Sequence, residues 1–476
     1  MGRKTDLAKN TLIFSIGTVL PKISVFITLP ALTGCLTKEE YGTFDLVFVI
    51  MPLFLPILTL NIRSAAFRFL IDARNDAGKI QSIVSNTLIF SFAVSAVSLP
   101  VIFFLLPGSF MVRLLTCIYM PISLTNATMR MFSRGLGRNF DYSVSVVADS
   151  LFKVIFIIIF LRVFNMGLNG AILAVLAASA SAGLFIFFNA KIYRYVSLST
   201  FSISEIKELI AYSCPAIFNS LSWWIINTSD RLIISSFIGL AANAVYAVAR
   251  KFPALLNIAQ STFSMAWTEN ASLAIKDKDS SAYYSSMFRI IIDLMGGLLG
   301  LIICFTPILF SILVRGDYSD AYNQMPILFA AAFFHCINGF FGGIYTACKN
   351  MKRVAITTME AAVCNLVIDL ALIKFVGLYA ASISTLISYI AVVIIRMRDA
   401  QKMVGIKYDY KHIALVLIVM TVETVLCFFR NAMLDAVNAI IGLTFFTAFN
   451  KNLMLNVKKK VSAKIKRNKQ KASPAI

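Results

Sequence analysis

Charge is scarce in this chain, and acid is scarcer than base. Only 14% of the residues are Asp, Glu, Lys or Arg, and 59% are hydrophobic. A soluble domain carries roughly 25% charge and 45–50% apolar residues. The composition therefore excludes a soluble enzyme, a disordered chain and a nucleic-acid-binding domain. Histidine is nearly missing: His335 and His412 are the whole supply, so a His-based metal site has no basis. No metal and no cofactor is expected. None of the eight cysteines forms a C-x-x-C pair, and most lie within apolar runs. They read as small buried hydrophobes. The chain has no phosphate-cradling G-x-x-x-x-G-K-[ST] loop and no G-x-S-x-G elbow, so ATP hydrolysis and serine-hydrolase chemistry lose support. External segments are too short for a catalytic domain, and no enzyme activity is expected.

Long apolar runs fill the chain instead. A bilayer-spanning helix needs about 20 apolar residues. Polar punctuation divides the chain into about fourteen such spans, near 11–36, 40–66, 82–106, 110–132, 142–164, 168–190, 212–238, 241–268, 286–314, 323–347, 354–376, 378–396, 411–429 and 433–450. The fold class expected is an all-α integral membrane protein. The first run follows Arg3, Lys4 and Lys9, as in a signal peptide, but it is longer than an h-region of about 7–15 residues. It reads as a retained span. With the N-terminus inside, the cytoplasmic segments hold 31 Lys and Arg residues and the opposite loops hold 6. This bias places both termini in the cytoplasm. The basic tail 451–476 reads as a topogenic or lipid-headgroup-binding segment.

The chain also repeats. Tyr41-Gly-Thr-Phe-Asp45 opens the second span, and Tyr246-Ala-Val-Ala-Arg250 lies near the start of the eighth. The run Gly167-Leu-Asn-Gly-Ala-Ile opens the sixth span, and Gly377-Leu-Tyr-Ala-Ala-Ser-Ile opens the twelfth. Six spans per copy is an even number, so both copies have one orientation, as in the parallel repeats of transporters. The expected organisation is an N-terminal lobe at 1–200, an interfacial amphipathic linker at 201–210 and a C-terminal lobe at 211–398. Two extra spans (399–450) and the basic tail (451–476) follow. In the linker, Ser202 and Glu205 have capping-box spacing, followed by Ile203, Ile206, Leu209 and Ile210 at helical spacing.

Seven cations fall inside spans: Lys22, Arg63, Arg68, Lys153, Arg231, Arg250 and Lys251. A cation at the bilayer centre costs about 2.5–3.5 kcal/mol on insertion scales, on the order of 20 kcal/mol for seven. They must mostly face water or partners. Lys22, Arg63, Arg231 and Arg250 come from the first and second helices of each copy, the natural walls of a cleft between lobes. These four are the expected anion-binding residues. Arg68, near a span end, can snorkel. Lys251 is about 100° around the helix from Arg250, so at most one of the two aims into a cleft. Lys153 stands at i,i+4 from Asp149, the spacing of an internal ion pair. Among the acids, Asp230 is the first ion-coupling candidate. Asp45 is another; its repeat equivalence with Arg250 suggests that those two face each other. A cationic cleft implies an anionic substrate. The planar fork of Arg suits phosphate, and a lipid pyrophosphate could keep its tails in the bilayer. Gly296, Gly300, Gly339, Gly342 and Gly343 read as close helix packing.

Several short segments together resemble a known family. They are Glu40-Tyr41-Gly42, Arg68-Phe69, Tyr246-Ala-Val-Ala-Arg250-Lys-Phe-Pro253, Met265-Ala-Trp267, and Gly342-Gly-Ile-Tyr345 before Lys349-Asn350. In this order and spacing they resemble the polysaccharide-transporter branch of the multidrug/oligosaccharidyl-lipid/polysaccharide exporter superfamily, the Wzx-type flippases. The resemblance covers spans 1–12. It implies two six-helix lobes around a central cationic cavity, a bacterial inner membrane, and a polyprenyl-diphosphate-linked oligosaccharide of O-antigen, capsule or similar origin as substrate. Membrane lipids would surround the protein, and the polymerase and chain-length regulator of the pathway would be its partners, with no nucleic acid. A lipid II flippase and a cation-coupled drug antiporter of the same superfamily are the alternatives.

Overall fold

The computed structural model describes residues 20–275, 277, 279–429, 431–451 and 455. The cations Arg3, Lys4 and Lys9, and the tail beyond 455, lie outside the described residues. Every regular element among the described residues is helical, and eleven helices are long and apolar enough to cross a membrane. The chain is an all-α, multi-pass membrane protein.

The helices are α1 (Leu20–Cys35), α2 (Lys38–Leu58), α3 (Ile62–Asp72), α4 (Ala77–Leu105), α5 (Phe110–Gly135), α6 (Asn139–Ile158) and α7 (Gly167–Asn189). Two 3₁₀ turns and α8 (Ile203–Ser213) form the linker. Then come α9 (Pro215–Phe237), α10 (Leu240–Lys251), α11 (Leu256–Ala274), α12 (Ser280–Leu313), α13 (Ser319–Ala347), α14 (Met351–Val376), α15 (Tyr379–Val404), α16 (Tyr410–Phe428) and α17 (Ala432–Phe449). Helix starts follow their sequence signals. Thr37 and Glu40 form a reciprocal capping box at α2, while Asp76, Ser109, Asp409 and Asn431 cap α4, α5, α16 and α17.

Two expected spans are broken. The second divides into α2 and α3 after Pro52 and Pro56, at Leu60 (φ 50°) and Asn61 (φ 55°). Two successive non-glycine residues in the left-handed region end a helix sharply. The eighth divides into α10 and α11 at the 3₁₀ turn Pro253–Leu255, because proline lacks the donor that a continuing helix needs. Both breaks fall in the second span of a repeat copy. The copies share another detail: Gly167 and Gly377 adopt φ 55° and 56°, a conformation that favours glycine.

The chain divides into two compact units. Unit 1 holds residues up to 248 with 312–318 and 362–381; unit 2 holds 249–311, 319–361 and residues from 382 onward. In unit 1, α2 packs on α9 with the Trp224 indole donating to the Val49 carbonyl at 2.8 Å. Gly42 meets the start of α10 so closely that a Cβ there would lie 1.8 Å from the Leu240 carbonyl oxygen. The Asn243 amide donates to the Gly42 carbonyl at 3.0 Å. In unit 2, the Trp267 ring stacks on Phe340 at 4.6 Å and its N–H donates to the Phe340 carbonyl. A Cβ on Gly343 would lie 2.5 Å from that indole. Close packing is therefore the role of Gly343.

The linker helix α8 begins at Ile203 and runs to Ser213, past the expected limit of 210. Ser202 caps it by accepting from the Glu205 N–H at 3.3 Å. The other half of the expected box is absent. Glu205 accepts instead from Ser82 and, at 2.8 Å, from the Asn86 amide on α4, and the Ser202 N–H donates to the Asn86 side chain at 2.8 Å. A tertiary partner has replaced the local one, and the acid ties the linker to α4. Ile203 and Tyr212 of α8, and Phe201 before it, remain exposed.

Candidate functional site

Most of the expected charged residues fall in unit 1. Lys22 is half-buried on α1. Arg63 stands one residue into α3, just past the left-handed break, and is partly buried. No hydrogen bond or ion pair satisfies its guanidinium among the described residues. Helix α3 holds it in place through Ile62 and Ala65, which pack with Leu209 of α8. Arg68, one turn further on, is exposed and paired with Asp72 at 2.6 Å.

Asp45 and Arg231 meet directly. The Arg231 Nη1 donates to both Asp45 carboxylate oxygens at 3.0 Å, and both side chains are largely buried. The pair joins α2 to α9. Asp45 and Val49 stand one turn apart on α2, and Arg231 and Trp224 stand two turns apart on α9, so each partnership extends the other. Asp45 therefore meets Arg231 and not Arg250, the partner that repeat equivalence suggested, because α9 rather than the end of α10 packs its cation on this turn of α2. The expected pair of Asp149 and Lys153 is replaced as well. Asp149 pairs with Arg130 of α5 at 3.4 Å, because Ser145 holds that guanidinium through its hydroxyl and carbonyl. Lys153 has no ion-pair partner among the described residues.

Asp230 is buried beside this pair. It accepts from the Tyr246 hydroxyl at 2.5 Å and from the Arg231 N–H at 3.0 Å. Asp369, on the part of α14 that belongs to unit 1, is fully buried. Neither of its carboxyl oxygens has a hydrogen-bond partner among the described residues, and it lies within electrostatic range of Asp230. Composition could single out both as acids within spans, but only folding brings α9 and α14 together.

Arg250 and Lys251 close α10 in unit 2, and both are half-buried. Unit 2 also contains a cation that the sequence had assigned to a cytoplasmic loop. Arg396 is only 3% exposed, because α15 runs eight residues past the apolar segment, to Val404. Its guanidinium donates to the Thr357 and Thr358 hydroxyls at 2.9 and 3.0 Å and to the Val354 and Asn338 carbonyls at 3.3 Å. It also lies 5.5 Å from the Tyr345 ring centre. Among the described residues no carboxylate pairs with it. Arg250 and Arg396 both lie within electrostatic range of the partly buried His335. No cluster of metal-ligating side chains occurs among the described residues.

Solved structures that the chain is similar to include transporters. A lipid II flippase, MurJ, in an inward closed conformation aligns over 94% of this chain and 99% of its own, with a TM-score of 0.70 and 15% identity. An inward-facing multidrug resistance MATE family transporter of the MOP superfamily aligns over 83% and 98%, with a TM-score of 0.63 and 16% identity. A MOP superfamily transporter from Pyrococcus furiosus, described by a reversed polarity of its binding pocket, aligns over 83% and 95%, with a TM-score of 0.55 and 17% identity. At such identities the likeness establishes the fold. No curated protein matches the sequence. The family described as "Polysaccharide biosynthesis protein" matches residues 7–269, more than half of the chain, so the protein belongs to the polysaccharide biosynthesis protein family.

Proposed function

We propose that this protein is a flippase that moves polyprenyl-diphosphate-linked oligosaccharide units from the inner to the outer leaflet of a bacterial inner membrane by alternating access. The observation that carries this reading is Arg63. A guanidinium within the membrane, partly buried and without a carboxylate, is a site prepared for an anion, because desolvating an unpaired charge is costly. A pyrophosphate supplies two such charges and suits the planar fork of arginine. In this reading Lys22 and Arg63 engage the headgroup. Arg231 joins them once it is released from Asp45, and Arg250 adds a further cation. Arg68 and Lys153 are secondary candidates, as is Lys251. Asp230, with Asp369 beside it, loads the coupling ion. The lobe boundaries expected from the repeat, the cytoplasmic termini, and partnership with a polymerase and a chain-length regulator belong to the same proposal. A lipid II substrate is the second reading, favoured by the fold shared with the lipid II flippase.

The test is leaflet sidedness in reconstituted vesicles. Polyprenyl-diphosphate oligosaccharide is loaded on one side and followed by its accessibility to an impermeant glycosidase. The wild type should flip it, and Arg63→Ala should reduce the rate by about tenfold or more, the equivalent of about 1.4 kcal/mol. The same variant should unfold at an equal or higher temperature, since it removes an uncompensated charge. Equal rates in the two proteins would refute the assignment of Arg63. Competition by lipid II separates the two substrates.

A further inference from the structure

Helices α12, α16 and α17 enclose a carboxyl group that the proposed headgroup and ion sites do not use. Glu423 on α16 is fully buried. Neither of its carboxyl oxygens has a hydrogen-bond partner, and no ion pair reaches it among the described residues. Two glycines form the slot that receives it. A Cβ on Gly300 of α12 would lie 2.8 and 2.9 Å from the two oxygens. A Cβ on Gly442 of α17 would lie 3.2 Å from one of them and 2.9 Å from the Gly300 carbonyl oxygen. The carboxyl therefore occupies the volume in which side chains at these positions would begin. Asn438 of α17, also buried, donates to the Glu423 backbone carbonyl at 3.1 Å, and its own amide oxygen is unpartnered.

Among the described residues no cation pairs with this acid. Residues 290–313 of α12, 413–428 of α16 and all of α17 contain no Lys, Arg or His. Titratable groups near it include Cys304 on α12, Cys427 on its own helix and Tyr322 on α13, which Cys427 contacts at 3.4 Å, and the acid of α17 is Asp435. None of these is a base that could hold Glu423 ionised. The closest His–carboxyl pair on the same helices is His412 with Asp293, at 2.5 Å. It lies eleven residues back along α16, roughly 16 Å at the helical rise. An ionised carboxylate without donors in such a place would cost far more than neutralising it.

We propose that Glu423 is a proton-binding site, protonated in the packed arrangement of α12, α16 and α17 and able to release its proton only when that packing opens. Proton occupancy and helix packing are then linked, since a ligand shifts a conformational equilibrium by its differential affinity for the two states. A role for this proton in driving transport rests on the flippase reading; the proton site itself does not.

Two measurements on the full-length protein in lipid test this. Wild-type protein is treated with a membrane-soluble carbodiimide, which attacks protonated buried carboxyls, and the adduct is mapped by peptide mass spectrometry. Infrared spectra then compare wild type with Glu423→Gln. The expected results are an adduct at Glu423 whose yield falls as pH rises, and a protonated-carboxyl band that titrates and is lost in the variant. An ionised Glu423 at neutral pH, a band that never titrates, or sodium-dependent protection of the residue would overturn the proposal, the last by making it a cation site. The wild-type labelling remains decisive even if the variant does not fold. A protonated, titrating Glu423 in a protein that flips no lipid would leave the proton site standing and remove the flippase reading.

Discussion

Arg63, Arg231 and Arg396 are three partly or fully buried guanidiniums with three different solutions to the same cost. Arg231 has a carboxylate, Asp45, within hydrogen-bond distance of one nitrogen. Arg396 has hydroxyls, carbonyls and a tyrosine ring but no counter-charge. Arg63 has none of these among the described residues. Charge-assisted hydrogen bonds satisfy a guanidinium's donors without cancelling its field, so the last two keep their electrostatic reach. Removing one member of a buried pair leaves the other uncompensated, at about 3–5 kcal/mol. Asp45→Asn should therefore lower the thermal unfolding temperature strongly, and Asp45→Asn combined with Arg231→Met should recover most of the loss. A double-mutant cycle measures this coupling; independent, additive effects would show that the pair does not act as a unit. The residue types were legible in the sequence, since charges within apolar runs stand out. Their partners were not, because α2 and α9 are far apart in the chain and nothing in local spacing encodes which acid meets which base.

Glycines set the distances between helices. Gly42 on α2 admits the Leu240 carbonyl, and Gly300 on α12 admits Glu423. A methyl at position 42 would have to occupy space held by backbone, which cannot rotate away. Gly42→Ala should cost at least the roughly 1–3 kcal/mol of an overpacked site and should displace α10 from α2. Thermal unfolding and a disulfide cross-linking scan between the two helices would check this; normal stability and an unchanged cross-linking pattern would refute the close approach. The Glu40-Tyr41-Gly42 segment, which carried part of the family resemblance, thus has a mechanical explanation. Tyr41 is buried edge-on against Tyr318 at 6.2 Å, Glu40 completes a cap, and Gly42 permits the contact. Sequence periodicity located nearly every helix, yet it merged α2 with α3 and α10 with α11. An apolar run continues through a break in the backbone, and periodicity does not register the φ of Leu60 and Asn61.

The whole molecule carries a formal charge of +21, and part of that charge lies within spans. An inside-negative potential acts on each charge with about 2.3 kcal/mol per 100 mV across the full field. If an emptied cationic site recrosses the membrane, the potential should accelerate that step. Vesicles clamped at an inside-negative potential should therefore turn over faster than vesicles held at zero, and the difference should shrink in Arg63→Ala. A turnover rate independent of potential would exclude a charged return step. This prediction depends on the charge that moves through the field, to which Arg63 contributes, and not on any one contact.

The sequence by itself determined the solvent, the class and the family. Low charge and long apolar runs require a bilayer, repeated segments at matching spacings imply a duplicated helical architecture, and ordered short motifs identify the relatives. These properties are local or additive along the chain, so they can be read without coordinates. Tertiary structure alone decided the pairing of Asp45 with Arg231, the burial of Arg396 at the end of its apolar run, the use of Glu205 as a tether to α4, and the isolation of Asp369 and Glu423. Each depends on which distant helix supplies a donor or withholds one, and in a low-dielectric interior the presence or absence of one such partner decides the state of a buried charge.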